Sequence, residues 1–85
     1  MRFTVTKGDI LRGVKNSPVM CPVARAIRRI LKRSEIRVGI IIFIDEYTFG
    51  TPPNVLKFMK KFDALEDKEI LKMRQILFEL PIEER

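Results

Sequence analysis

Cys21–Ile44, CPVARAIRRILKRSEIRVGIIIFI, holds the change of period on which the fold turns. Wound at about 100° per residue, its first half separates into two faces. Val23, Ala24, Ala26, Ile27, Ile30 and Leu31 fall on one arc. Arg25, Arg28, Arg29, Lys32 and Arg33 fall on the other, with no acid among them. Pro22 suits a first helical position, where its missing N–H breaks no bond, so the spacing predicts an amphipathic helix to about Arg33. From Ile36 the period becomes two. Ile36, Val38, Ile40, Ile42 and Ile44 share one face of a strand, while Ile41 and Phe43 make the other face apolar as well. That pattern predicts one central strand, covered at least in part on both sides.

Upstream, Phe3 and Val5 alternate with Thr4 and Thr6, which reads as a short first strand. Thr6 then serves as an N-cap, with Asp9 in the capping-box position and Gly13 closing a brief helical turn. Val14–Pro18 is a loop. Downstream, Asp45–Glu46 turns the chain into Tyr47–Phe49 as a hairpin. Gly50-Thr51-Pro52-Pro53 ends that strand and opens a second long helix with Thr51 as its N-cap. Val55, Phe58, Met59 and Phe62 form its apolar stripe, and Lys57, Lys60 and Lys61 point elsewhere.

The last segment fits two periods. Ile76, Phe78 and Leu80 alternate up to Pro81, whereas Ile70, Met73, Leu77 and Leu80 also suit a helix. We take helix or loop up to about Lys72, residues 66–74 being open between the two, and strand afterwards. The expected architecture is a single α+β domain over residues 1–85, ordered β-α-α-β-β-α-β, with two longer helices on a small, mostly antiparallel sheet. Its expected core is Phe3, Val5, Ile27, Ile30, Leu31, Val38, Ile40, Ile42, Ile44, Phe58, Phe62, Ile76 and Phe78.

A chain of 85 residues buries only about 60–65 % of its unfolded surface, so a homo-oligomer that extends the core is expected. One cysteine and no histidine exclude an intrachain disulfide and leave no protein-only zinc site. No metal or other cofactor is expected. The longest apolar run, Ile40–Ile44, is five residues, against the roughly 18 that a membrane span needs. With no signal-peptide pattern at the N-terminus, a cytoplasmic protein without membrane partners is expected.

Charge is unevenly spread. Residues 1–33 carry nine Lys/Arg against Asp9 alone, and residues 34–85 carry eight against ten acids, so a +8 half and a −2 half make the net +6. A half so basic attracts nucleic acid, nucleotides or acidic proteins. Arginine's planar fork of donors matches phosphate oxygens, and the spacing of Arg25, Arg28, Arg29, Lys32 and Arg33 makes them mutually repelling neighbours. An anion would relieve that repulsion; a merely solvated face is the other reading. No base-reading signature accompanies it.

Other candidate chemistry is sparse. Cys21 at a helix N-terminus beside cations has the features that lower a thiol pKa, yet no histidine can serve as its base. A small buried capping residue explains it more simply. Asp45 and Glu46 fit a turn, and Glu66, Asp67 and Glu69 a solvated run. Glycine-rich phosphate loops are absent. A non-enzyme is expected.

Three segments resemble a loose group of small, uncharacterised bacteriophage-encoded proteins. They are the opening strand with Thr-Lys-Gly-Asp-Ile (6–10), the Cys-Pro-Val-Ala-Arg-Ala-Ile helix start (21–27), and a Pro-initiated helix, Pro53 to Asp63, followed by a closing Phe78-Glu79-Leu80. In that group a second cysteine often stands three residues before the Cys-Pro pair; here Pro18 occupies the place, which removes any paired-thiol role. The resemblance implies a protein acting in the host cytoplasm, where small phage proteins frequently antagonise host defence and others bind nucleic acid. The expected function is non-enzymatic binding of a phosphate-rich anion, a nucleotide signal or nucleic acid, through Arg25, Arg28, Arg29, Lys32 and Arg33. The alternative is an inhibitor of an acidic host protein or defence complex, acting through the same face or an exposed sheet edge.

Overall fold

The structure, a computed structural model, describes residues 1–32 and 34–83. Strand β1 (Arg2–Val5) pairs antiparallel with β5 (Ile76–Glu79), Phe3 opposite Phe78 and Val5 opposite Ile76. The Phe3 and Phe78 rings stack with centroids 5.2 Å apart. Beyond the register, the Met1 nitrogen donates to the Leu80 and Ile82 carbonyls at 2.8 and 2.9 Å.

Helix α1 (Lys7–Arg12) opens on the expected capping box: Thr6 Oγ1 accepts from the Asp9 amide at 3.2 Å, and Asp9 Oδ2 from the Thr6 amide at 3.0 Å. It closes at Gly13 for a steric reason. A Cβ there would lie 2.5 Å from Pro22 Cγ, so the missing side chain lets the start of the next helix pack close. That helix, α2 (Pro22–Ile30), is capped by Cys21, whose Sγ accepts from the Ala24 amide at 3.4 Å. It stops short of Arg33. Leu31 still donates to Ile27 at 2.8 Å, but its φ of −102° and ψ of 67° leave the helical region.

The apolar run that follows is a hairpin, which corrects the single central strand expected over Ile36–Ile44. Strands β2 (Ile36–Val38) and β3 (Ile41–Ile44) fold back on each other, with Ile36 opposite Ile44 and Val38 opposite Ile42. These four side chains stay on one buried face, so the period of two survives the reversal. Ile40 falls at the tip, 81 % exposed rather than core. Thr51 holds the tip. Its hydroxyl donates to the Gly39 carbonyl at 2.6 Å and its amide to the Ile40 carbonyl at 3.2 Å. Thr51 is therefore not the N-cap of the next helix; Pro52 takes that position without a side-chain cap.

Strand β4 (Tyr47–Gly50) pairs with β3 across Asp45–Glu46, as expected, with Asp45 in the left-handed region at φ 55°. The Asp45 Oδ1 also accepts from the Glu35 amide at 2.8 Å, which ties this turn to the start of β2. The five strands therefore make two separate antiparallel sheets, β1–β5 and β2–β3–β4, where one sheet was expected. Helix α3 (Pro53–Ala64) buries Val55, Phe58 and Phe62, and α4 (Asp67–Ile70) is one short turn before the chain enters β5.

The protein is an α+β fold whose buried side chains form one cluster spanning both sheets. Helix α2 joins them, packing against α1, β1 and β2, while α3 packs on β5. Ile30, at the last turn of α2, is exposed, and Leu31 and Ile76 are only half-buried, contrary to the expected core. Ile10, Ile36, Ile70, Met73 and Leu80 are buried in their stead. No helix among the described residues is long and apolar enough to cross a membrane.

Candidate functional site

The basic arc of α2 is divided among different tasks. Arg29 is a structural tie. Its Nη2 donates to Asp9 Oδ2 and to the Thr4 carbonyl, both at 2.8 Å, linking α2 to α1 and β1. Asp9 is 5 % exposed, and a carboxylate taken out of water requires such a partner. Asp9 is also the single acid of residues 1–33. Because it is buried and already paired, it neutralises none of the other cations of that segment, of which Arg2 and Lys15 pair instead with Glu79 and Asp67.

Arg28 donates through Nη2 to the Val19 carbonyl. A neutral acceptor fixes the guanidinium but leaves its charge intact. Arg25 is half-buried, and its Nε is shut from solvent with no hydrogen-bond acceptor among the described residues. Lys32 lies past the end of α2 and is exposed. Neither Arg25, Arg28 nor Lys32 forms an ion pair among the described residues. Arg33 lies outside the described residues. Of the expected site, Arg25 and Arg28 stay together on one helix, Lys32 follows it, and Arg29, though half-exposed, is paired to Asp9.

Arg28 also reaches a shallow groove of about 520 Å³ that it shares with Arg37 and Phe43, but Glu35 and Asp45 line it too. The mixed charge makes that groove a poorer anion site than the helix face. On the outward side of the β2–β3–β4 sheet, Arg37, Ile41 and Phe43 are exposed.

Cys21 is the small buried cap that the sequence favoured rather than an activated thiol. It is buried, and burial pushes its thiol pKa up; the Ala24 and Val23 amides oppose the shift without reversing it, and Asp63 adds to it. Desolvation outweighs the helix end, so the thiolate that a nucleophile needs is disfavoured. No group of three or more His, Cys, Asp or Glu side chains suited to a metal ion occurs among the described residues.

A second basic surface was missed. A groove of about 350 Å³ between α3 and the chain entering β5 is lined by Lys57, Lys61, Lys72 and Arg74. Lys57 and Lys61 are one helical turn apart, a spacing visible in the sequence; Lys72 and Arg74 join them only through the packing of α3 on β5. No family model, no curated protein and no solved structure matches the chain.

Proposed function

We propose that this protein is a non-enzymatic binding protein whose α2 face engages a phosphate-rich anion, a nucleotide or nucleic acid. The observation that carries the reading is a short run of three cations, half-buried Arg25 and Arg28 on α2 and exposed Lys32 just beyond it, with no carboxylate paired to any of them among the described residues. Cations held on one short segment without a counter-charge attract an oxyanion, and arginine forks match phosphate geometry. The non-enzymatic part rests on the absence of histidine and on the raised thiol pKa of Cys21.

The test is fluorescence anisotropy of labelled oligo(dT) and of a labelled cyclic dinucleotide at low salt, comparing the native chain with Arg28→Glu/Lys32→Glu. Arg29 is excluded from the variant because its loss would unpair Asp9. Loss of binding by about tenfold or more is expected, with a slope of log K against log salt near about −2 if all three cations meet a single strand. Unchanged binding by the variant, or no binding of either probe, overturns the reading.

A protein partner is the second reading, and it has its own observation. The β2–β3–β4 sheet exposes Ile41 and Phe43 beside Arg37 on its outward face, and β4 is one of its two edge strands. Free strand edges and apolar patches are the usual means of strand addition and docking.

A further inference from the structure

We infer that the groove between α3 and the α4–β5 connection is a second anion site, separate from the α2 face, that takes a nucleoside polyphosphate. Its charge is of one sign. Lys57 and Lys61 project from adjacent turns of α3, and Lys72 and Arg74 come from the segment leading into β5. All four are exposed. Lys57, Lys61 and Arg74 form no ion pair among the described residues. Lys72 approaches Glu69 at 3.7 Å, but that pair is exposed, and exposed pairs contribute little.

Composition does not account for this segregation. Residues 34–85 hold ten acids against eight Lys/Arg, yet among the described residues no acid lines the groove. Cations brought together by tertiary packing repel unless a counter-charge enters, and a concave wall concentrates their field. The geometry is held rather than adventitious. Asn54, in the first turn of α3, donates to the Leu77 carbonyl of β5 at 2.8 Å and so pins the two walls of the groove together.

Size and lining select the ligand class. At about 350 Å³ the groove lies at the small end of the range of pockets that hold small molecules. Phe58, Met73 and Ile76 supply an apolar floor beside the cations, and Ile76 is only half-buried. A compact molecule with several adjacent phosphates and one flat apolar ring system matches that pairing. Lysine ammoniums, three of the four charges, act as point charges toward phosphate without imposing a planar fork.

The experiment is a titration of the isotopically labelled full chain with ATP, followed by amide NMR shifts and by calorimetry, with adenosine and a DNA duplex as comparison probes. ATP is expected to move the amides of residues 54–61 and 72–76 and adenosine to leave them unmoved. Lys57→Glu/Lys61→Glu, both exposed positions whose fold is checked by circular dichroism, is expected to weaken ATP binding about tenfold or more. Arg28→Glu/Lys32→Glu is expected to leave the ATP-induced shifts of the residue 54–61 and 72–76 amides unchanged, whatever it does to binding at the α2 face, which keeps this site's fate separate from that of the α2 face. The inference is overturned if the groove amides do not move, if the α2 variant abolishes their movement, or if the duplex occupies the groove in preference to ATP.

Discussion

The two sheets are both antiparallel, but they are built on opposite terms. The β1–β5 ribbon joins segments more than seventy residues apart, Phe3 against Phe78, and has two strands. The β2–β3–β4 meander is made from one stretch, Ile36–Gly50, by two tight reversals. A two-stranded ribbon is marginal alone, so β1–β5 depends on the α2 and α3 packing that covers it. The meander is local and cheap in loop entropy, and it can leave its outward face, with Ile41 and Phe43, uncovered. Each sheet thus buries one face in the common core and leaves the other outward, with Leu77 on the ribbon and Ile41 and Phe43 on the meander; what differs is that the ribbon is closed by distant segments.

The comparison would break most visibly at Phe3, which is fully buried and stacked on Phe78. Phe3→Ala is expected to cost about 3–5 kcal/mol, a large part of the stability of so small a domain, read by urea denaturation. A loss below about 1 kcal/mol would mean that the ribbon is not integral to the core. Arg29→Ala comes next. It removes the donor to both the Thr4 carbonyl on β1 and the buried Asp9, and about 1–3 kcal/mol is expected once the half-exposed position of Arg29 is allowed for. If Asp9→Asn in the same chain restores nothing, the unpaired carboxylate is not the cause. The smallest effect is expected at the meander. Phe43→Ser should stay within about 0.5 kcal/mol in the same denaturation series, and a larger loss would show that the outward face is covered in solution.

Legibility followed the range of the interactions. The Thr6–Asp9 capping box, the Pro22 helix start and the Asp45–Glu46 turn were readable because each involves residues at most a few positions apart. Ile36–Ile44 was misread as one strand because a hairpin that keeps its even residues inward has the same alternation as a continuous strand. Gly39 was the available signal, and the Thr51 hydroxyl that holds the turn came from twelve residues away. Cys21 was placed correctly as a cap, but the direction of its pKa depends on how deeply the helix end is buried, which spacing does not state.

The candidate site was legible in the same partial way. Periodicity placed Arg25, Arg28 and Arg29 on a helix opposite its apolar arc, and it treated them as equivalent. The structure separates them, since only Arg29 has a buried carboxylate within reach, from Asp9 twenty residues earlier. Lys57 and Lys61 were placed off the apolar stripe of their helix, but nothing local to them foretold Lys72 and Arg74 as neighbours.

By itself, then, the sequence determined the elements with their own caps and periods, the α+β class and the strong positive bias of its first 33 residues. The tertiary structure alone decided that there are two sheets, which arginine is consumed by the fold, and where four cations converge without an acid. The physical reason is reach. Caps and amphipathic faces arise from neighbours along the chain, whereas ion pairing, burial and grooves depend on which distant segments packing brings together.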